Sequence, residues 1–170
     1  GVMMYVNFIY IAVFVGYSVG AAPVVSYHYG AGNTAELKNM RRKSTFLMFA
    51  GGAAMSLLAQ FLAHPLAVLY VGYDAELMQM TEKAFHIFAF AFILSGINIY
   101  TSSFFTALNN GAVSAAISFL RTLVFELLSV LLLPILLGTD GIWGSVGVAE
   151  VMAFIISMIF LARNKAKYNY

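Results

Sequence analysis

A long stretch without charge dominates the start of this chain, since residues 1–35 contain no Asp, Glu, Lys or Arg. The apolar part of this stretch, YVNFIYIAVFVGYSVGAAPVV, is as long as the roughly 20 helical residues needed to cross a bilayer core of about 30 Å. It is longer than the apolar core of a signal peptide, which has about 7–15 residues. The stretch therefore predicts a transmembrane helix over residues 3–30.

The composition indicates that lipid, more than water, surrounds this protein. Hydrophobic residues make up 62% of the chain and charged residues only 9%, whereas soluble domains have about 45–50% and 25%. The net charge of +2 is not gathered into a basic stripe, so we expect no nucleic-acid partner. The absence of cysteine excludes disulfides and Cys-based metal sites.

Four more apolar stretches follow, separated by charged segments or by the turn signals NNG and GTDG. Membrane-barrel strands would be shorter and would alternate apolar with polar residues, which these stretches do not. The predicted fold is therefore all-α: a polytopic membrane bundle of five transmembrane helices in a single domain, residues 1–170. The four further helices are predicted over residues 44–73, 84–109, 112–137 and 141–162.

The basic residues predict the orientation of the bundle, because Lys and Arg are enriched in cytoplasmic loops. Five spans place the segment after the first helix and the C-terminal tail on the same side, and these two segments carry most of the cations. The opposite side is mainly acidic. We therefore expect a multi-pass protein of the cell (inner) membrane with a cytoplasmic C-terminus. The cytoplasmic cations are Lys38, Arg41, Arg42, Lys43, Arg163, Lys165 and Lys167.

Three charged residues fall near the middle of the fourth and fifth spans: Arg121, Glu126 and Glu150. Such charges are costly in hydrocarbon and usually face a bundle interior or a wet cavity. Arg121 and Glu126 are five residues apart, roughly 140° around an α-helix, so Arg121 is predicted to pair with Glu150 instead. This charge network has two interpretations, an ion-responsive group or a structural ion pair that joins the two helices.

Two polar stripes recur at helical spacing and are candidates for lining a substrate cavity. Interhelical hydrogen bonding inside a tight bundle is the alternative interpretation, since Ser, Thr and Asn are common at such contacts. In the first span the stripe contains Asn7, Tyr10, Phe14 and Tyr17. In the third span it contains Ser95, Asn98, Ser102, Thr106 and Asn109. The candidate substrate-binding residues are Asn7, Tyr10, Tyr17, Ser95, Asn98 and Ser102.

The sequence shows no motif of an enzyme active site, such as a nucleophile elbow, HExxH or a Walker lysine loop. His28, His64 and His86 lack the spacing of metal ligands, so neither catalysis nor a metal or other cofactor is expected. The segment YGAGN lacks the Lys-Ser/Thr pair of a phosphate-binding loop. We interpret it as a helix exit, in which Gly30, Gly32 and Asn33 end the first helix.

Three segments together resemble the multidrug and toxic compound extrusion (MATE) transporters, with a resemblance to their MepA-like branch. The segment GAAPVVSYHYGAGN, followed by a basic stretch, is similar to a helix exit in a lobe of these proteins. The segments ILSGINIYTSSFFTALNNG and SFLRTLVFELLSVLLLPILLGTDGIWGSVGVAE resemble the fourth to sixth helices of their C-terminal lobe. The resemblance covers essentially the whole chain in the same order.

This resemblance implies a twelve-helix architecture of two lobes, in which the chain supplies helices eight to twelve of an incomplete six-helix lobe. The expected partners are the N-terminal lobe of the same transporter, membrane lipid, and small amphipathic or cationic drugs. Export in exchange for H⁺ or Na⁺, by alternating access, is the implied function. Some members carry coupling carboxylates in the first and fourth helices of this lobe. The fourth, here residues 84–109, has no acid in its span, so Glu126 and Glu150 are expected to be secondary or structural.

Two other functions remain open at this point. A lipid-linked oligosaccharide flippase resembles the same superfamily, but it should line its cavity with several cations, and only Arg121 lies within the spans. A non-transporting membrane assembly or anchor protein would need neither polar stripes nor charges near the bilayer midplane. Both alternatives are therefore weaker than the antiporter.

Overall fold

The computed structural model describes residues 2–170 and contains five long helices, with no β-strand among those residues. Each helix is long and apolar enough to cross a membrane. The predicted all-α bundle of five spans is confirmed, and the chain is a multi-pass membrane protein. The helices are α1 (Val2–Gly30), α2 (Thr34–Val71), α3 (Ala75–Ala107), α4 (Gly111–Leu137) and α5 (Thr139–Tyr168).

Two helices begin well before their predicted starts, because side-chain caps extend them beyond the apolar residues. α2 begins at Thr34 instead of residue 44. At this start, the Asn33 side chain accepts a hydrogen bond from the backbone N–H of Glu36 at 3.2 Å. α3 begins before the predicted residue 84, and Asp74 accepts from two backbone N–H groups at its start. Such caps satisfy N–H groups that have no partner within the helix. Hydropathy detects only the part of a helix that lies in lipid.

The connection between α1 and α2 agrees with the interpretation of YGAGN as a helix exit and adds a second role. α1 ends at Gly30, and Gly32 turns the chain with a φ of 69°. The backbone N–H of Asn33 reaches back to the carbonyl of His28 at 3.0 Å. Asn33 therefore helps to end α1, as predicted, and its side chain also caps the start of α2. The segment therefore both ends α1 and starts α2.

α3 is the central helix and contacts each of the other four. A 3₁₀ turn, Ala89–Ala91, interrupts it, and the following turns are buried on most sides. Neighbouring helices approach it closely at glycines. Gly96 faces the Phe14 ring of α1, where a Cβ atom would lie 2.8 Å from two ring carbons. Gly52 of α2 faces the backbone of α3 at Phe92 in the same way.

α4 lies at the periphery of the bundle, and much of its surface is available to lipid. The later turns expose large aliphatic side chains, with Ile135 and Leu136 nearly four-fifths exposed. The middle of α4, Leu120–Glu126, is π-helical, with α-helix on both sides. A π segment inside an α-helix is rare and often occurs at functional sites.

The two ends of the bundle differ in charge. At one end, the rings of Tyr29 and Tyr168 lie 5.6 Å apart, and the Arg41 guanidinium lies 5.5 Å from the centre of the Tyr170 ring. The segment after α1 and the C-terminal tail therefore meet at a common basic end. At the opposite end, Lys83 of α3 bridges Asp140 of α5 at 3.0 Å.

Candidate functional site

A cleft of about 360 Å³ opens between α1 and α4, with α3 as its floor. Aliphatic side chains form one wall, and hydroxyl, amide and guanidinium groups form the rest. A pocket that combines an apolar surface with a few polar groups is typical of binding sites for small molecules. The lining residues are Ile11, Val15, Asn98, Ile99, Ser102, Ser103, Thr106, Ile117, Ser118 and Arg121.

Arg121 and Glu150 form an ion pair at the inner edge of this cleft. The Arg121 Nη2 atom donates to Oε1 of Glu150 at 2.6 Å, and Nε lies 3.0 and 3.1 Å from the two carboxylate oxygens. The Glu150 side chain is almost fully buried, whereas that of Arg121 is 20% exposed. The structure thus joins α4 and α5 through the two residues that the sequence predicts as partners.

Asn98 of the central helix connects α3 to the same ion pair. Its side-chain amide donates to Oε2 of Glu150 at 2.6 Å and to the Glu150 backbone carbonyl at 3.0 Å. The hydroxyl of Ser157 donates to the side-chain oxygen Oδ1 of Asn98 at 3.4 Å. Both carboxylate oxygens of Glu150 therefore have partners. A buried charge is tolerated when it is paired and hydrogen-bonded in this way.

Hydroxyl groups connect α3 to α4 next to the ion pair. Ser102 lies 3.0 Å from the Ser114 hydroxyl and 2.8 Å from that of Ser118, and Thr106 lies 2.6 Å from Ser114. Ser114 is nearly buried, while Ser118 is exposed towards the cleft. The polar stripe of α3 therefore both joins two helices and lines the cleft.

The π segment changes the predicted relation between Arg121 and Glu126. A separation of about 140° assumes α-helical geometry, whereas the i→i+5 bonding of a π-helix brings residues five apart close to the same face. Both residues belong to Leu120–Glu126. The prediction that they lie on different faces therefore does not hold for this segment. Glu126 is half-buried, whereas Glu150 is buried.

The other candidate residues lie outside this cleft. Tyr10 is buried with its ring 4.6 Å from that of Phe92, and Ser95 donates to the Ala91 carbonyl of its own helix. Tyr17 lies 2.9 Å from the Ser44 hydroxyl of α2 and lines a different pocket at the basic end. None of these three residues lines the cleft, and neither does half-buried Asn7. Tyr10 and Tyr17 of α1 face α3 and α2 instead.

Sequence reasoning identified Arg121 but missed the two serines of α4 that lie next to the polar stripe of α3. Ser114, Ser118 and Arg121 are separated by four and three residues, a spacing that places side chains on one helical face. That pattern identifies the face, whereas the charges of α4 alone do not. The Ser103 hydroxyl, which donates to the Ser18 carbonyl of α1 at 3.2 Å, was also missed.

Two of the three histidines are closer together than the sequence indicated. His64 of α2 lies 3.0 Å from one oxygen of Glu82, and His86 lies 3.8 Å from the other. His86 also contacts the side chain of Gln60. Within residues 2–170, no three His, Cys, Asp or Glu side chains form a group that could hold a metal ion.

Comparison with known proteins gives one match. The MatE family model matches residues 1–132, which include α1 to α3 and most of α4. No curated protein and no solved structure matches the chain. The family match does not distinguish the MepA-like branch. It covers well over half of the chain, and the helices within it are long and apolar enough to cross a membrane. The chain therefore belongs to the MatE family of membrane efflux transporters.

Proposed function

We propose that the chain supplies most of one lobe of a secondary-active antiporter, which exports small amphipathic or cationic drugs in exchange for H⁺ or Na⁺. The observation that carries this proposal is the cleft between α1 and α4. Polar groups inside a membrane protein usually mark a substrate or ion pathway. The family membership adds that this pathway serves efflux.

The lining of the cleft suits amphipathic organic cations. Ile11, Val15 and Ile117 provide an apolar surface, and Ser102 and Ser118 provide hydroxyl groups. The positive charge of Arg121 is compensated by Glu150, so the cleft does not carry an unpaired cation that would repel such a substrate. The same compensation weighs against a flippase, which needs free cations for pyrophosphate.

The coupling ion is proposed to bind mainly in a partner lobe. Within its apolar part, after residue 83, α3 carries no acid, and Glu150 is occupied by Arg121 and Asn98. Glu126 is half-buried at the end of the π segment. These two acids are therefore assigned secondary or structural roles. The lobes would rock against each other to alternate access, as in other transporters built from repeats.

The proposed location is the cell membrane, with the C-terminus in the cytoplasm. The contacts of Tyr29 with Tyr168 and of Arg41 with Tyr170 place the two basic segments at one end of the bundle. Basic loops are retained on the cytoplasmic side. A reporter enzyme fused to the C-terminus, active only in the cytoplasm, tests this orientation.

Transport in proteoliposomes tests the function. The full-length protein is reconstituted, and movement of a fluorescent organic cation is followed while a pH or sodium gradient is imposed separately. Ser118→Trp fills the cleft and is expected to abolish gradient-driven transport. Leu136→Trp, on the lipid-exposed surface of the same helix, is the matched control and should transport normally. Equal transport by both variants would contradict the proposal.

A further inference from the structure

A second pocket, distinct from the cleft, lies at the basic end of the bundle between α1 and α2. It measures about 570 Å³ and is lined by Tyr17, Asn39, Arg42, Lys43, Phe46 and Leu47. It contains two cations and two large apolar side chains, which the transport proposal does not use. We propose that this pocket binds one anionic phospholipid.

The order of residues along α2 matches the order of groups in a phospholipid. Residues 39, 42, 43, 46 and 47 follow the spacing of one helical face. Along this face the side chains change from polar to basic to apolar as the helix enters the bilayer. Arg42 and Phe46 are separated by roughly 6 Å along the helix axis. A phosphate held by Arg42 and Lys43 would therefore place its acyl chains against Phe46 and Leu47.

The two cations are available for such a ligand. Arg42 and Lys43 are both exposed, and neither forms an ion pair with another of residues 2–170. The nearest acid along the helix, Glu36, instead accepts a hydrogen bond from Asn39 at 3.4 Å. Basic pockets between membrane helices commonly bind anionic headgroups.

The apolar half of the pocket distinguishes a lipid from a small anion. The side chains of Phe46 and Leu47 are 72% and 47% exposed, and they lie next to the basic residues on α2. Tyr17 closes the α1 side, where its hydroxyl is held 2.9 Å from that of Ser44. A free phosphate would use the cations and leave the apolar surface uncovered, whereas a phospholipid covers both.

Titration of the detergent-solubilised full-length protein with short-chain lipids tests this site. Dioctanoyl phosphatidylglycerol is expected to bind, and Arg42→Gln/Lys43→Gln should weaken binding by roughly 30-fold, as expected for two headgroup cations. Arg163→Gln/Lys165→Gln removes the same two charge types at the same end of the bundle and should have little effect. Equal losses in both double variants would overturn the proposal, because binding would then depend only on overall charge.

Two further measurements separate a lipid from other ligands. Phe46→Ala should weaken phosphatidylglycerol binding, whereas Phe49→Ala, an exposed residue outside the pocket, should not. Dioctanoyl phosphatidylcholine and inorganic phosphate should compete poorly. Effective competition by inorganic phosphate, or an unchanged affinity in Phe46→Ala, would show a small-anion site and overturn the lipid assignment. Circular dichroism confirms that each variant is folded.

Discussion

The guanidinium of Arg121 and the carboxylate of Glu150 meet at 2.6 Å between α4 and α5, next to the cleft. Asn98 of α3 donates to the same carboxylate. Three helices are thus joined at one charged centre inside the bundle. This centre lies at the edge of the cleft and holds α4 against α3 and α5.

Glu150→Gln is expected to destabilise the protein. The substitution leaves Arg121 without its counter-charge, and breaking a buried ion pair on one side costs about 3–5 kcal/mol. The partial exposure of Arg121 places the loss at the lower end of this range. Arg121→Met/Glu150→Met removes both charges and should recover most of the loss. The free energy of unfolding in mixed micelles measures these differences. A Glu150→Gln protein as stable as the wild type would contradict the prediction.

Ion-driven transport should survive the loss of either acid. Glu150→Gln and Glu126→Gln are expected to leave the maximal rate of gradient-driven efflux largely unchanged, when rates are normalised to folded, inserted protein. The reason is that Glu150 is occupied by Arg121 and Asn98. Proteoliposome assays with imposed gradients provide the rates. Abolished transport with normal folding and insertion would identify that acid as a coupling residue.

Gly52→Ala should separate α2 from α3. A Cβ atom at this position would lie 2.4 Å from the carbonyl oxygen of Phe92 and 2.8 Å from that of Ile93, which are backbone atoms. Overpacking of this kind typically costs about 1–3 kcal/mol. The matched control is Gly51→Ala, whose Cβ would have its nearest neighbour at 3.9 Å. In detergent, Gly51→Ala should unfold at a clearly higher temperature than Gly52→Ala. Equal unfolding temperatures would contradict the close packing of α2 against α3.

Tyr170 should make the stability of the basic end sensitive to alkaline pH. Its hydroxyl donates to the Leu161 carbonyl at 2.7 Å, and burial raises the pKa of Tyr170 to about 12, against about 10 for an exposed tyrosine. A raised pKa means that the contribution to stability is complete below pH 10 and is lost as the pH rises towards 12. Tyr170→Phe should be less stable by about 1 kcal/mol at neutral pH, because the hydrogen bond is missing. The variant should also lose less stability above pH 10, because it has no hydroxyl to ionise at this position. Parallel pH dependence in both proteins would contradict the burial of the hydroxyl.

The sequence predicted those features of the fold that depend on hydropathy alone. The five spans follow from apolar stretches that leave few alternatives in a bilayer. The starts of α2 and α3 were placed too late, because Asn33 and Asp74 cap polar turns that hydropathy does not detect. The pairing of Arg121 with Glu150 could be predicted because opposite charges at a similar depth in the membrane usually form ion pairs.

The arrangement of α4 could not be predicted in the same way. Its π segment adds no apolar or charged signal, so the α-helical angle predicted between Arg121 and Glu126 does not apply. The stripe of α1 was ambiguous for another reason. Tyr10 is suited both to a cavity and to a packed interface, and only its contact with the Phe92 ring decides for the interface.

The most direct test of the proposed pathway is the accessibility of a single cysteine in the cleft. These 170 residues contain no cysteine, so Ser118→Cys and Leu136→Cys each place one new thiol in this lobe, and labelling is compared with that of the unsubstituted full-length protein. Ser118→Cys should react with a water-soluble, membrane-impermeant maleimide, and a saturating organic cation should slow this reaction. Leu136→Cys, which faces lipid, should remain unlabelled under both conditions. An unreactive Ser118→Cys, or labelling that the organic cation does not change, would contradict a substrate pathway through the cleft.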